Sequence, residues 1–341
     1  MSFNPLASQT PGWYLIVDPK GEGERLDRFI ARRLPRLSRS RAAKLAVYIL
    51  DHNGIAQNSA LKKSTRLRAL QHLWIKRPLP KEKLHNLKPP TIVDECEDFI
   101  VIDKPAGWVA HPTASRFHSA ITTWLKSNAY HAHPVHRLDS ETSGLLICAK
   151  HHQAEKELQQ AFINQRVHKT YLGICQISDR GQKYIDSKGL NWIETESLGF
   201  APNSLVSIKM GRGEKTASTE FQVLSIHPQL SMISELRPLT HQPHSYALIK
   251  ASPHSGRQHQ IRVHLSLLGL SLVGDKLYGP DENYFLKGLA GELTPTDYQD
   301  LGHERHALHA TSLSFNWKGR QRSWHSALPT DLHRLLNNNQ V

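Results

Sequence analysis

One aspartate lies in a polar segment directly before an apolar run, which is a suitable position for a catalytic carboxylate. Asp139 stands within HRLDSETSG, residues 136–144, and the apolar residues 145–147 follow it. An aspartate in a turn that leads into a buried strand suits the floor of a cleft, where it acts as a base or a nucleophile. The same position also suits an Asx turn or a cap, which is the commoner use of aspartate in loops.

Glu141 places a second carboxylate two residues after Asp139. Two carboxylates that flank a sugar are the arrangement found in glycosidases, and that arrangement requires a defined separation across the sugar. A spacing of two residues within one turn does not indicate such a separation. A glycosidase-type pair is therefore not indicated by the sequence.

A second dense group of polar side chains lies much further along the chain. Residues 256–264, GRQHQIRVH, contain two arginines and two histidines. This segment is either a solvated basic face or the ion-pair partner of a buried aspartate, which needs such a partner because an unpaired buried charge is costly.

The positive charge of the chain is concentrated in its first quarter. The 341 residues include 43 Lys and Arg and 30 Asp and Glu, for a net charge of +13. Residues 1–90 hold 18 basic and 6 acidic side chains, and so carry +12 of that charge. Such a block attracts polyanions by counterion release and long-range steering. We therefore expect nucleic acid as its partner, in preference to a merely solvated surface.

Residues 21–77 have the pattern of a small folded module. Apolar residues at helical spacing predict a first helix at 26–34 and a second helix that includes residues 45–50, and residues 72–75 predict a last strand. The stretches RLDRF at 25–29, SRSR at 38–41 and NG at 53–54 resemble the small RNA-binding domain first described in a ribosomal small-subunit protein. The basic side chains expected to contact RNA there are Arg28, Arg32, Arg39, Arg41 and Lys44.

The rest of the chain divides by composition. We expect an N-terminal arm at residues 1–20, a proline-rich linker at 78–90 and a catalytic domain at 91–330. Within that domain the sequence predicts strands at 99–102, 145–147 and 246–250, and helices at 152–165 and 260–268. We expect polar loops within 176–245 and a loop insertion at 280–304.

Several ordered motifs of residues 91–320 resemble the RluA family of pseudouridine synthases. The segment HRLDSETSGLL at 136–146 is similar to the family's HRLDxxTSGLL motif, and Lys104–Gly107 with His111-Pro112 is similar to its first motif. The KTY segment at 169–171 is similar to its KxY motif. Residues 256–264, followed by Gly274-Asp275 and Tyr278-Gly279, are similar to its C-terminal motif.

The resemblance implies an α+β fold in which a mostly antiparallel mixed sheet follows the small RNA-binding domain. It implies an enzyme that isomerises uridine in RNA to pseudouridine. Asp139 is then the carboxylate that acts on the ribose, either as a nucleophile or as a base that gives a glycal. Tyr171 is the residue that stacks on the uracil and takes part in the proton transfer. Arg262 pairs with Asp139, and Arg257 is the second choice for that role.

The target uridine has to leave its stack, and the resemblance suggests that Arg137 fills the vacated place. His136 and Arg257 complete the set expected to contact RNA in the catalytic domain. His136, His259 and His264 are also expected to be buried and hydrogen-bonded. The reaction needs no cofactor. We expect no metal, because residues 303–309 do not have the HExxH spacing and residues 131–136 lack a partner carboxylate at a recognised spacing.

The remaining features concern location and partners. No apolar run approaches the ~20 residues of a membrane helix, residues 1–12 lack the apolar core of a signal peptide, and Cys96, Cys148 and Cys175 form no disulfide pattern. We expect a cytoplasmic monomer that contacts no membrane. Large-subunit ribosomal RNA is the preferred substrate, transfer RNA is the alternative, and a non-catalytic RNA-binding assembly factor is a third hypothesis.

Overall fold

A computed structural model describes residues 12–34, 39–56, 60–76, 87–113, 116–228 and 245–336. The chain divides at residues 82 and 83 into two compact units. No helix within these described ranges is long and apolar enough to cross a membrane.

The described part of the N-terminal unit contains a three-stranded antiparallel sheet, two α-helices and a short 3-10 helix (Pro19–Gly21). Its elements are β1 (Gly12–Ile16), α1 (Leu26–Arg33), α2 (Arg39–Ala42), β2 (Val47–Leu50) and β3 (His72–Lys76). β3 lies in the centre, because Ile75 pairs with Trp13 on one side and with Val47 on the other. The apolar residues of α1 that follow the helical period, Leu26, Phe29 and Ile30, pack against the sheet residues Val47, Leu73 and Ile75.

Two expectations for this unit are wrong. Residues 47–50 form β2 and not part of a second helix, because Val47, Tyr48 and Ile49 suit a pleated surface and pair with β3. Residues 12–16 belong to the sheet as β1, so the predicted arm of residues 1–20 extends too far. The N-terminal residues 1–11, residues 35–38 and most of the predicted linker lie outside the described residues.

The second unit is built on one large mixed sheet. Its strands and helices are β4 (Thr91–Glu95), β5 (Phe99–Lys104), α3 (Ile121–Ser127), β6 (His133–Pro134), β7 (Ser143–Ala149), α4 (His152–Ile163), β8 (His168–Ile177), α5 (Asp179–Lys188), β9 (Asn191–Phe200), β10 (Met210–Arg212), β11 (Lys215–His227), β12 (Ser245–Pro253), α6 (Gln260–Leu267), α7 (Asn283–Ala290), α8 (Pro295–Leu301), β13 (Leu308–Trp317), β14 (Arg320–His325) and α9 (Thr330–Leu336).

The strand order is β10-β9-β11-β12-β8-β13-β7-β5-β4, with β14 on β13 and β6 on β7. The pairing of β13 with β7 is parallel, and the other pairings are antiparallel. The expected α+β class with a mostly antiparallel mixed sheet is therefore confirmed.

Both faces of the central strands are buried. Along β7, Leu146 and Cys148 join one apolar cluster, whereas Leu145 and Ile147 join another. Successive residues of a strand point to opposite faces, so these two clusters lie on the two sides of the sheet. This explains why residues 145–147 form a continuous apolar run and not an alternating one.

The described parts of the predicted polar loops and of the predicted insertion are largely regular structure, while residues 229–244 lie outside the described residues. Residues 191–200 and 215–227 form the long paired strands β9 and β11, and residues 283–290 and 295–301 form α7 and α8. Polar residues that alternate along an exposed strand face resemble loop residues in the sequence, so the strands were not predicted. The predicted end of the domain at residue 330 is also too early, because Leu332 and Leu335 of α9 are fully buried in its core.

Candidate active site

Asp139 lies in the tight turn that enters β7, and a buried lysine holds that turn in place. Thr142 donates its backbone N–H to the Asp139 carbonyl at 3.1 Å, which closes the turn. The Nζ atom of Lys104 donates to the carbonyl oxygens of Ser140, at 3.3 Å, and Trp108, at 2.9 Å. Lys104 is fully buried. The first motif of the sequence thus fixes the loop that carries the carboxylate.

A glycine allows this turn to approach the next strand closely. Gly144 has a φ of +110°, and a Cβ atom there would lie 2.2 Å from the carbonyl oxygen of Ala310. Ala310 pairs with Gly144 on one side and with Tyr171 of β8 on the other. The single residue Ala310 therefore connects the strand that follows Asp139 with the strand that carries Tyr171.

Arg262 joins two aspartates that are distant in sequence. Its Nη1 donates to Oδ2 of Asp139 at 2.8 Å, while its Nε and Nη2 donate to the two carboxylate oxygens of Asp275 at 2.7 and 2.8 Å. Asp275 also accepts the backbone N–H groups of Leu277 and Tyr278, each at 3.0 Å. The planar fork of arginine has the geometry for such bidentate contacts.

These contacts keep Asp139 ionised. Burial, the largest single effect, raises the pKa of Asp139, but the charge and hydrogen bond of Arg262, together with His259 and His306, outweigh it and hold that pKa at about 2. The same balance of burial and the Arg262 charge lowers the pKa of Asp275. The site therefore presents a carboxylate without a proton at neutral pH.

Tyr171 is buried and lines the same cavity as Asp139 and Arg262. The cavity has a volume of about 670 Å³, and His136, Arg137 and Leu308 also line it. Burial, assisted by the Asp139 charge, raises the pKa of the Tyr171 phenol. The phenol is neutral at pH 7 and presents an aromatic face with one hydroxyl. The structure thus brings together the three residues that the sequence places at the catalytic centre.

The other predicted RNA-contacting residues of this unit differ in exposure. Arg137 is exposed at the cavity. Arg257 lines the cavity but donates from Nε to the Thr216 carbonyl at 3.1 Å, so it does not pair with Asp139. His136 accepts the backbone N–H of Ile147 at 3.1 Å, and burial lowers its pKa to about 3, so it is a neutral support of β7.

The basic residues predicted in the N-terminal unit also separate into groups. Arg32 pairs with Asp18 and Glu24, and Arg39 pairs with Asp27. Arg28 and Lys44 are exposed and form no ion pair within the described ranges. The Arg41 side chain lies outside the described residues.

Sequence reasoning did not assign two parts of the site. Asp275 is the second anchor of Arg262, and His306 supports the Asp139 loop through a contact of 2.7 Å between its Nε2 and Oγ1 of Thr142. The only sequence signal for Asp275 is its place in the Gly274-Asp275 part of the C-terminal motif, and His306 has no signal beyond the histidine-rich stretch at 303–309. Among the described residues, no group of three or more His, Cys, Asp or Glu side chains is arranged to hold a metal ion.

Comparison with known proteins assigns this arrangement to a class. Residues 98–267, which carry Asp139, Tyr171 and Arg262, match the family model described as RNA pseudouridylate synthase. The fold is shared with human RNA pseudouridylate synthase domain containing 1, with a TM-score of 0.53 and 20% identity over 72% of this chain and 86% of that one.

Relatives in bacteria cover nearly the whole chain. A protein of Zymomonas mobilis named ribosomal large subunit pseudouridine synthase D is 31% identical over 92% of this chain and 93% of its own length. The protein of the same name from Neisseria meningitidis serogroup B is 30% identical over 94% and 80%. An RNA pseudouridine synthase of Helicobacter pylori is 30% identical over 82% and 85%.

The chain belongs to the RNA pseudouridylate synthase family, and the resemblance drawn from its motifs is confirmed. It is an RNA pseudouridine synthase, an isomerase that acts on RNA. The likeness of the N-terminal unit to a small ribosomal-protein-type RNA-binding domain stays a prediction.

Proposed function

We propose that this enzyme converts specific uridines of large-subunit ribosomal RNA to pseudouridine, with Asp139 as its catalytic carboxylate. The observation that carries the proposal is the position of Asp139 on the cavity wall, ionised and held by Arg262 at 2.8 Å. The choice of ribosomal RNA rests on the relatives from Zymomonas mobilis and Neisseria meningitidis, whose names include the ribosomal large subunit.

The reaction requires the ribose C1′ atom to exchange one bond for another. The bond from C1′ to N1 of the uracil breaks, a bond from C1′ to C5 forms, C5 loses a proton and N1 gains one. Asp139 starts this exchange at the ribose, either by attack on C1′ or by removal of the C2′ proton. Both routes need an unprotonated carboxylate, and the pKa of about 2 supplies it.

The remaining residues of the cavity have roles that follow from their chemistry. The ring of Tyr171 stacks on the flipped uracil, and its hydroxyl takes part in the proton transfer at C5. Arg137 is exposed next to Asp139, so its flat guanidinium replaces the uridine in the RNA stack. Flipping costs a few kcal/mol of unstacking, which this replacement offsets in part.

The proposal is tested by mapping pseudouridine in total RNA of cells that lack the gene and are complemented with variants. Wild type restores modification at defined large-subunit sites, whereas D139N and D139A do not. D186N is the matched control, because Asp186 lies on α5 and contacts only Gln182 among the described residues. If modification is lost and recovered only in transfer RNA, transfer RNA is the substrate instead of ribosomal RNA. Modification by D139N would overturn the role of Asp139.

A binding measurement separates chemistry from recognition. We expect purified D139N to bind the RNA with the wild-type dissociation constant, within about threefold, while turnover falls by roughly a thousandfold or more, as expected for loss of a reacting group. A parallel loss of binding and turnover would assign Asp139 to recognition.

A further inference from the structure

His259 lies beside the second carboxylate oxygen of Asp139, the one that Arg262 does not bind. Its Nε2 is 3.8 Å from Oδ1 of Asp139, and its Nδ1 is 2.9 Å from the hydroxyl oxygen of Tyr278. The imidazole is nearly buried, with 8% of its side chain exposed, and it lines the cavity. The mechanism described above gives this histidine no role.

A hydrogen-bond chain behind His259 bears on which ring nitrogen carries the proton. The backbone N–H of Met210 donates to the Tyr278 hydroxyl oxygen at 2.8 Å. A backbone N–H is always a donor, so the Tyr278 oxygen accepts there, and its own hydrogen remains available to donate to Nδ1 of His259. Burial raises the pKa of Tyr278, so this hydrogen is retained. With Tyr278 as the donor to Nδ1, the neutral imidazole carries its proton on Nε2, which faces Asp139.

The neutral state of His259 has a further basis. Burial, the largest effect, lowers its pKa to about 4, although the Asp139 charge opposes this change. A second full cation beside Asp139 would reduce the basicity of the carboxylate more than Arg262 already does. A neutral N–H group directs only a dipole at Oδ1, so it orients the carboxylate at a smaller cost in basicity.

The backbone at His259 is held in an uncommon conformation. His259 precedes the first residue of α6 and has a φ of +56°, in the left-handed region. Residues other than glycine rarely adopt this backbone conformation, and among them asparagine, aspartate and histidine do so most readily. The conformation places the imidazole between Tyr278 and Asp139, so the strained backbone serves that placement.

We propose that His259 is a positioning residue: its Nε2–H group, fixed by Tyr278, orients Oδ1 of Asp139 while Arg262 holds Oδ2. This inference rests on the proposed function, because it requires Asp139 to be the carboxylate that reacts.

Two substitutions separate this role from a structural one. H259N suits the left-handed backbone and keeps an amide near the position of Nδ1, where it accepts from Tyr278, but it does not reach Asp139. H259Q is less suited to this backbone but extends its amide nitrogen to about the position of Nε2. A structural role predicts that Asn is tolerated better than Gln, whereas the positioning role predicts the reverse.

The assay measures tritium release from RNA that contains [5-³H]uridine. We expect the kcat of H259N to fall about tenfold, because Asp139 loses the dipole that faces Oδ1 at 3.8 Å. Its KM and melting temperature stay at wild-type values, and H259Q recovers kcat to within about threefold. Wild-type kcat in H259N, or equal losses in both variants, would overturn the inference.

Y278F provides a second measurement, because it removes the donor that fixes the imidazole. We expect a reduced kcat in Y278F and little further loss when Y278F is combined with H259N, since both act through the same N–H group. Additive losses would contradict the chain from Tyr278 to Asp139. D139N is included in every series. Turnover by D139N would overturn the proposed function, whereas an inactive D139N beside a fully active H259N would overturn only the inference.

Discussion

Arg262 and Asp275 form a bidentate ion pair in the protein interior, with both carboxylate oxygens of Asp275 bound by Nε and Nη2 of the guanidinium. Both residues are buried, with exposures of 6% and 1%. The pair fixes the plane of the guanidinium and therefore the direction of its third nitrogen, Nη1. This nitrogen donates to Asp139. The position of Asp139 therefore depends on a residue that does not itself line the cavity.

The first prediction concerns R262K. A lysine ammonium cannot provide the fork that satisfies both aspartates, and it leaves part of the buried charge without a partner. We expect kcat to fall by roughly a hundredfold or more and the free energy of unfolding to fall by about 3 kcal/mol, the size seen when a buried pair is broken. Tritium release and urea unfolding measure the two effects.

R257K is the matched control for R262K. Arg257 lines the same cavity, but its Nε donates to the backbone of Thr216 and not to Asp139. We expect its kcat to stay within about threefold of wild type, because the contact that changes is with the Thr216 backbone and not with the Asp139 carboxylate. A larger loss in R257K than in R262K would exchange the roles of the two arginines.

The second prediction concerns Tyr171. Y171F keeps the aromatic face for stacking but removes the hydroxyl, whereas Y171A removes both. We expect Y171F to bind RNA within about threefold of wild type and to release tritium from C5 roughly a hundredfold more slowly, the scale of general acid–base catalysis. We expect Y171A also to weaken binding by about tenfold, because stacking on one base contributes ~1–3 kcal/mol. Full tritium release by Y171F would limit Tyr171 to stacking.

The sequence was sufficient to single out the three proposed active-site residues but not the partners that hold them. Asp139, Tyr171 and Arg262 lie in separate motifs, and the family resemblance brings them to one cleft, where the structure places them. Asp275 is different, because an aspartate in a Gly-Asp turn has many uses, and its pairing with Arg262 exists only after α6 and the following loop have packed. Three-dimensional packing, and not local pattern, creates that contact.

The errors in the predicted fold have a similar origin. Residues 45–50 contain apolar residues at spacings that fit a helix as well as a strand, and pairing with β3 decides for the strand over Val47–Leu50. β9 pairs with both β10 and β11, yet it carries exposed polar residues such as Asn191 and Thr195. Its partners are the next two strands along the chain, but alternation interrupted by polar residues gives no local sign of that pairing.

The third prediction is a dependence of stability on pH that involves His306. This histidine is 2% exposed, contacts Thr142, and has its pKa lowered to about 3, chiefly by burial. In the unfolded chain His306 binds a proton near pH 6.5, whereas in the folded protein it does not. Its contribution to the free energy of unfolding is therefore fully present above pH 6.5 and is lost as the pH falls. Between pH 6.5 and 5 the loss from one such group is about 2 kcal/mol.

H306Q tests this contribution by urea unfolding at pH 7.5, 6 and 5. The variant is less stable than wild type at pH 7.5, because glutamine does not reproduce the contact of the imidazole with Thr142. We expect the difference in the free energy of unfolding to narrow by about 2 kcal/mol towards pH 5, since glutamine takes up no proton. A difference that stays constant over this range would show that His306 does not control the acid sensitivity.

The last prediction concerns RNA binding by the N-terminal unit. Arg28 and Lys44 are exposed and form no ion pair with another described residue, whereas Arg32 is bound by Asp18 and Glu24. When the logarithm of the observed RNA association constant is plotted against the logarithm of the salt concentration, each phosphate contact makes the negative slope steeper by about 0.7–0.9. We expect the slope of the R28A/K44A variant to be less steep by about 1.5, while R32A changes it little because Arg32 is neutralised within the protein. An unchanged slope in R28A/K44A would remove these two side chains from the RNA-contacting surface, and deletion of residues 1–77 with an unchanged slope would remove the whole unit from it.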